Sequence, residues 1–223
     1  MAEDGLKEVK VVTAEPAAYG LMGLAIVTLV ACAVKMGWIV DDPTVSGNEA
    51  ALFIVPWAFF FGAIAQFVTA LMEFKRNNAF GATAFGAYGM FWFAMGMTWM
   101  WSYQYGLPVA TYQYNFMYAF IGMLIFNTYM LVGAASLNKA LFAIFVFIEL
   151  LFAVYVSNIY FGSTVFPTYI VGLAELGVSV TAFYGSAAIL LNNMAGCQVL
   201  PIGKPIIKLM KEKECKVPPK DVI

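Results

Sequence analysis

Long apolar stretches broken by short polar clusters are the dominant pattern along the chain. Six such runs fall at residues 19–39, 50–74, 80–103, 112–137, 140–160 and 167–191. Each is near the ~20 residues that a helix rising ~1.5 Å per residue needs to cross a ~30 Å hydrocarbon slab. The clusters between them carry turn chemistry: Asp41-Asp42-Pro43 with Ser46-Gly47-Asn48, Lys75-Arg76-Asn77-Asn78, Gly106-Leu107-Pro108, Asn138-Lys139 and Phe161-Gly162-Ser163-Thr164. Linkers this short make consecutive helices antiparallel neighbours. The pattern therefore predicts an all-α membrane protein with one six-transmembrane-helix bundle over 16–203, an N-terminal segment at 1–15 and a basic tail at 204–223.

Charge gives the bundle a direction. The second and fourth linkers hold Lys75, Arg76 and Lys139, the N-terminal segment Lys7 and Lys10, and the tail six further lysines from Lys204 to Lys220. The other three linkers hold no cation, so every cation but Lys35 falls on one side. Excess lysine and arginine mark the cytoplasmic face, which predicts a multi-pass plasma-membrane protein with both termini cytoplasmic. Trp38, Trp99, Trp101, Tyr103, Tyr105, Tyr112 and Tyr114 crowd the opposite ends as interfacial anchors. Composition agrees: 62% hydrophobic and 11% charged residues, with a mean hydropathy of +0.81, against about a quarter charged in soluble domains. The start of the chain lacks a basic-then-apolar pattern, so no cleaved signal peptide is expected. The tail alternates Lys with Glu and reads as a solvated extension able to touch anionic membrane lipid.

Candidate chemistry is sparse. Histidine is absent, and Cys32, Cys197 and Cys215 have no metal spacing, so neither a metal, a cofactor nor an enzymatic nucleophile–base set is expected. A retinal-type sensor would need a lysine deep in the last helix, and there is none. Nothing marks a nucleic-acid partner. Glu149 and Glu175 are the carboxylates of the interior, where an ionised group costs at least ~2.5 kcal/mol. They are the proton-coupling candidates, with interhelical glue as the other reading. Glu73, beside Lys75 and Arg76, reads as an interfacial ion pair. Gln66, Tyr88 and Asn127 need partners in hydrocarbon. With Tyr19, Thr83, Thr181 and Tyr184, Gln66 and Asn127 form the set of candidate solute contacts. Pro16 opens the first helix, whose positive end faces the cytoplasmic mouth and either holds an anion or simply starts the helix well.

Glu73-Phe-Lys-Arg-Asn-Asn-Ala-Phe-Gly-Ala-Thr-Ala-Phe, then Ala87-Tyr88-Gly89-Met90-Phe91-Trp92, with Phe61-Gly62-Ala63-Ile64-Ala65-Gln66 and Val199-Leu200-Pro201-Ile202-Gly203, resembles the acetate uptake transporter family. That family contains bacterial succinate–acetate permeases and yeast acetate transporters. The resemblance spans roughly 16–203 and lies in the combination of motifs. It implies a six-helix protomer, assembled as a homohexamer, that moves acetate and related small monocarboxylates with protons along a path within each protomer. Similar proteins narrow that path at three bulky side chains, which fall here on Leu24, Tyr88 and, aligned through Leu137-Asn138-Lys139-Ala140-Leu141, Ile148. The family's Asn-Pro-Ala-Pro signature is present only as Glu15-Pro16-Ala17-Ala18, and Glu149 and Glu175 lie outside its pattern.

With Lys35 near the outer edge and no other cation at depth, a bare carboxylate would cross at a high desolvation cost. The expectation is that acetate travels with a proton through a gate of Leu24, Tyr88 and Ile148, with Glu149 exchanging the proton. The alternative is a channel for a small neutral solute such as urea or an amide.

Overall fold

The computed structural model describes residues 14–39, 49–106, 109–162 and 165–209. The N-terminal segment to residue 13, the first loop at 40–48, the turn residues Leu107-Pro108 and Ser163-Thr164, and the tail from residue 210 with Cys215 lie outside the described residues.

The described chain is all-helical. Its helices are α1 (Ala17–Lys35), α2 (Glu49–Trp57), a π-helix (Ala58–Ala65), α3 (Gln66–Lys75), α4 (Ala79–Gln104), α5 (Val109–Ala135), α6 (Lys139–Phe161) and α7 (Thr168–Ala195). From α2 through the π-helix to α3 the chain runs on as one rod, with Pro56 inside its first part. Asparagines start the helices that follow the basic linkers: Asn78 Oδ1 accepts from Gly81 N at 3.2 Å, and Asn138 Oδ1 from Leu141 N at 2.9 Å. Each satisfies an amide that a helix N-terminus leaves open.

Among the described residues, five helical segments are long and apolar enough to cross a membrane: Ala17–Lys35, Leu52–Lys75, Phe116–Ala135, Lys139–Phe161 and Thr168–Ala195. The 26 residues of α4 are long enough too, but glycine, tryptophan and tyrosine dilute their hydropathy. That dilution has a packing reason, since the glycines of α4 face the α2–π–α3 rod. A Cβ at Gly89 would stand 3.2 Å from both the Ala63 carbonyl oxygen and Phe67 N. On α1, a Cβ at Gly23 would stand 2.5 Å from the Phe61 carbonyl oxygen, so α1 lies directly on the π-helix backbone. α1 also packs along α7, and α6 lies between α5 and α7.

The starts of α1, α4 and α6 gather at one end of the bundle, the end that carries the basic linkers. Arg76 Nη2 meets Glu15 Oε2 at 2.6 Å there, and Ser186 Oγ donates to the Ala18 carbonyl at 2.6 Å. The chain after α7 straps across this end. Ala140 N donates to Ile202 O at 3.0 Å, Ile206 N to Ala135 O at 2.8 Å, and Asn192 Oδ1 accepts from Val199 N and Leu200 N at 2.7 and 2.8 Å. The described part of the tail, residues 204–209, is exposed throughout, with Ile206 N and Ile207 N donating to the last carbonyl of α5.

Candidate functional site

A cavity of about 150 Å³ opens inside the bundle between α1, α3, α4, α6 and α7. Since water occupies about 30 Å³ per molecule in the liquid, this is room for a molecule of a few heavy atoms. Glu73 and Asn78 lie at its basic end, and Leu24, Tyr88 and Ile148 line it deeper in. At ~1.5 Å per residue, Gln66, Tyr88 and Ile148 each sit about 13 Å from the basic ends of α3, α4 and α6, and Leu24 about 10 Å along α1. The three residues expected at the constriction therefore share one level, with Gln66 beside them. Leu24, Tyr88 and Ile148 are all buried.

Hydrogen bonds hold Tyr88. Tyr88 Oη donates to Asn127 Oδ1 at 2.5 Å, and Asn127 Nδ2 donates to the Phe145 carbonyl at 3.0 Å and to Glu149 Oε2 at 2.5 Å. Thr128 Oγ1 closes the chain on Glu149 Oε1 at 2.8 Å. The Tyr88 ring is flanked by Phe126 and Phe145, with centroids 5.5 and 6.1 Å away. Glu149 itself is half-buried, between α5 and α6, and stands behind Asn127 rather than in the cavity wall. Beyond the level of Leu24, Tyr88 and Ile148, rings fill the bundle: Phe120 stacks on Tyr155 at 5.0 Å, and Phe91 meets Phe152 edge-on at 5.4 Å.

One sequence expectation, for Glu73, is corrected, and Lys35 has a partner that the sequence did not show. Its Nζ, at the far end of α1, lies 2.5 Å from Glu175 Oε1 and 5.7 Å from the Tyr155 ring centroid, with 17% of its side chain exposed. Reach explains this, because a lysine stem laid along the bundle brings its ammonium to a carboxylate on the neighbouring helix. Glu175 is consequently the buried half of a part-buried ion pair and does not line the cavity. Glu73, in turn, is not paired with Lys75 or Arg76. It is fully buried, takes a hydrogen bond on Oε2 from Asn78 Nδ2 at 2.8 Å, and leaves Oε1 without a partner. Arg76 turns to Glu15 instead, and that hydrogen bond pushes the guanidinium pKa further up.

Of the expected solute contacts, Gln66 lines the cavity and Asn127 stands one bond behind it. Thr83 and Tyr19 are exposed on the outside of the bundle. Thr181 Oγ1 donates to the Gly177 carbonyl of its own helix at 2.6 Å, and Tyr184 Oη to the Pro201 carbonyl at 2.5 Å, in the strap. The sequence reading missed Glu73 and Asn78 as cavity residues. The signal was there in Asn78, a helix-capping residue type just ahead of an apolar run and five positions from a carboxylate.

Comparison with known proteins agrees with this architecture. Residues 3–203 match the model of the GPR1/FUN34/yaaH family. Succinate-acetate/proton symporter SatP of Escherichia coli (strain K12) is 29% identical over 193 residues, covering 86% of this chain and 96% of that protein. Acetate permease A of Emericella nidulans is 31% identical over 147 residues, covering 62% of this chain and 47% of the relative. Among solved structures, that of the bacterial acetate channel SatP aligns with a TM-score of 0.73 at 28% identity, over 86% of this chain and 100% of that one. The chain belongs to the GPR1/FUN34/yaaH family, whose model spans the whole helical bundle described above.

Proposed function

We propose that this chain carries acetate and related small monocarboxylates across the cell membrane, coupled to protons, along a path inside each protomer. One observation carries the reading: a cavity that runs in from the basic end and stops where Leu24, Tyr88 and Ile148 converge, with Gln66 at the same depth. Likeness to a succinate-acetate/proton symporter and to a bacterial acetate channel supports the choice of cargo. Proton coupling follows from charge. Lys and Arg are absent from the described cavity lining, and the half-buried Lys35 is already neutralised by Glu175, so a carboxylate finds no partner along the way.

The basic end, with Lys75, Arg76, Lys139, Lys204 and Lys208, is the cytoplasmic face, which puts both termini there. In this reading α4 is the sixth span, shielded from lipid hydropathy demands by its packing, and the protomers assemble as a homohexamer. Glu149 acts on the gate through Asn127, and Glu175 holds α7 to α1.

Purified protein in vesicles, given labelled acetate and an inward acid gradient, tests the proposal. Uptake should exceed that of protein-free vesicles and collapse with the gradient. Ile148→Ala or Leu24→Ala should raise entry of lactate relative to acetate about tenfold, as removing a few methylenes from a specificity pocket does. Uptake no greater than in protein-free vesicles would end the reading, and unchanged selectivity in both variants would move the constriction elsewhere.

A further inference from the structure

Coupling to protons along the solute path proposed above, on which this assignment rests, needs a titratable group in contact with that path. Among the described residues, Glu73 and Tyr88 are the titratable side chains of the cavity wall. Tyr88 gives its one proton to Asn127, and a phenol holds that proton to about pH 10. The other carboxylates of this region are occupied elsewhere. Glu149 stands behind Asn127 with both oxygens bonded, one to Asn127 Nδ2 and one to Thr128 Oγ1. Glu175 is paired with Lys35 and lies off the cavity, and Glu15 is paired with Arg76.

Glu73 differs from all three. It is fully buried, borders the cavity, and leaves its Oε1 without a hydrogen-bond partner. The first turn of α4 builds its place. Asn78 Nδ2 donates to Oε2 at 2.8 Å while Asn78 Oδ1 caps Gly81 N at 3.2 Å, so the start of the helix sets which end of the amide meets the carboxyl group. Gly81 makes the room: a Cβ there would stand 3.1 Å from both Cγ and Cδ of Glu73. Both protonation states thus have support. The carboxylate has the Asn78 donor and the positive end of α4 beside it, and the acid carries its proton on Oε1 and presents no charge to the apolar side chains around it. The charged groups that act on it are Glu15 and Arg76, paired with each other at the mouth. Lys75 and Lys139 are exposed, and α1, α6, α7 and Leu137 after α5 contribute only apolar side chains to the described wall.

We propose that Glu73 is the residue that exchanges the proton with the cargo, at the inner end of the path and about 10 Å along α3 from the level of the gate. Acetic acid that has passed the gate gives its proton to the Glu73 carboxylate: the O–H bond of the acid breaks, an O–H bond forms on Oε1, and acetate leaves through the basic mouth. Glu73 then releases the proton to water at the mouth. Movement the other way reverses both steps, so that water protonates Glu73 and acetate collects that proton before it enters the gate.

The test is protein-dependent uptake of labelled acetate by full-length protein in vesicles, at equal pH inside and out. At pH 5 a large share of acetate is already the acid in water, whereas at pH 7 the share is under about 1%, so a route through Glu73 matters most at pH 7. Glu73→Gln keeps the size of the side chain and an acceptor for Asn78, and it should lower uptake about tenfold more at pH 7 than at pH 5. Asn78→Asp keeps the helix cap but sets an anion against Glu73. It should move the midpoint of the pH profile upward by about one unit, a move that vanishes when Glu73→Gln is added. In infrared difference spectra, addition of acetate should perturb a carboxyl band that Glu73→Gln lacks and that Glu149→Gln and Glu175→Gln keep. Should Glu73→Gln fold poorly, the shift in Asn78→Asp decides. Uptake by Glu73→Gln that is unchanged, or reduced equally at both pH values, overturns the proposal and leaves acetate transport standing, as does an Asn78→Asp profile that stays in place. A Glu73 band that answers acetate without any protein-dependent uptake keeps the proton exchange and removes the transport reading; neither band nor uptake removes both.

Discussion

The two halves of the bundle, divided at the gate, bury polar groups in opposite ways. Beyond the gate the interior is filled with rings, and its charged groups, Lys35 and Glu175, are closed on each other. Between the gate and the basic end the interior is hollow, and Gln66 Oε1 and Glu73 Oε1 face no donor of the protein. Glu175 Oε2 is also without a hydrogen bond, but its charge is already balanced 2.5 Å away. Buried polar atoms in folded proteins are nearly always satisfied, so an exception bordering a cavity calls for an arriving partner, whereas one inside an ion pair does not. On the proposed reading the outer half is scaffold and the inner half is the receiving site.

The largest test of that contrast is in the outer half. Lys35→Met strands the Glu175 carboxylate in the interior and should destabilise the protein by about 3–5 kcal/mol, whereas Lys35→Met with Glu175→Leu should recover most of that loss. Thermal unfolding in detergent measures both. Vesicle uptake of acetate by the double variant should stay near that of the unaltered protein. A stable single variant with lost uptake would break the comparison, because it would make the outer pair part of the path.

A smaller effect belongs to the link between the halves. Asn127→Leu leaves the buried Tyr88 hydroxyl without its partner, a cost of about 1–3 kcal/mol, and leaves the half-buried Glu149 with Thr128 alone. Its sharper signature is in transport: with the tyrosine proton released toward the path, the pH dependence of acetate uptake should flatten. A variant that loses stability but keeps its pH profile would leave Asn127 as glue between α4, α5 and α6 and nothing more.

How far the sequence foretold this arrangement depends on what kind of signal each residue gave. Helix positions were legible because length against a bilayer is a strong constraint, and α1, α6 and α7 fall within a few residues of the apolar runs. Gln66 and Asn127 were legible for a thermodynamic reason: an amide in hydrocarbon must find a partner, and both are fully buried. That Thr83 and Tyr19 are exposed was not legible, because lipid is as apolar as a bundle interior and an apolar helix does not announce which side faces in. The Lys35–Glu175 pair joins residues 140 positions apart, and no local pattern reports such a contact. The π-helix was equally silent. Glu73 was misread because proximity in sequence to Lys75 and Arg76 stood in for proximity in space, whereas Arg76 pairs with Glu15 and it is Asn78, beyond the turn at Asn77 with its φ of 57°, that reaches the carboxylate.

The smallest expected effect lies at the mouth, where the inner half meets solvent. The Glu15–Arg76 pair is partly exposed, at 27% and 33% of the two side chains, so Arg76→Ala should cost the fold no more than about 1 kcal/mol. Its consequence is electrostatic instead. Removing the guanidinium leaves Glu15 uncompensated beside the cavity entrance, and that charge should slow the approach of acetate from this side at low ionic strength. Because the Debye length shrinks from ~30 Å at 0.01 M salt to ~8 Å at 0.15 M, the deficit should fade as salt is added. Rates measured across that range separate the two roles of the arginine. A deficit that persists in salt would mean Arg76 contacts the cargo directly, and the mouth would then belong to the binding site rather than to its approach.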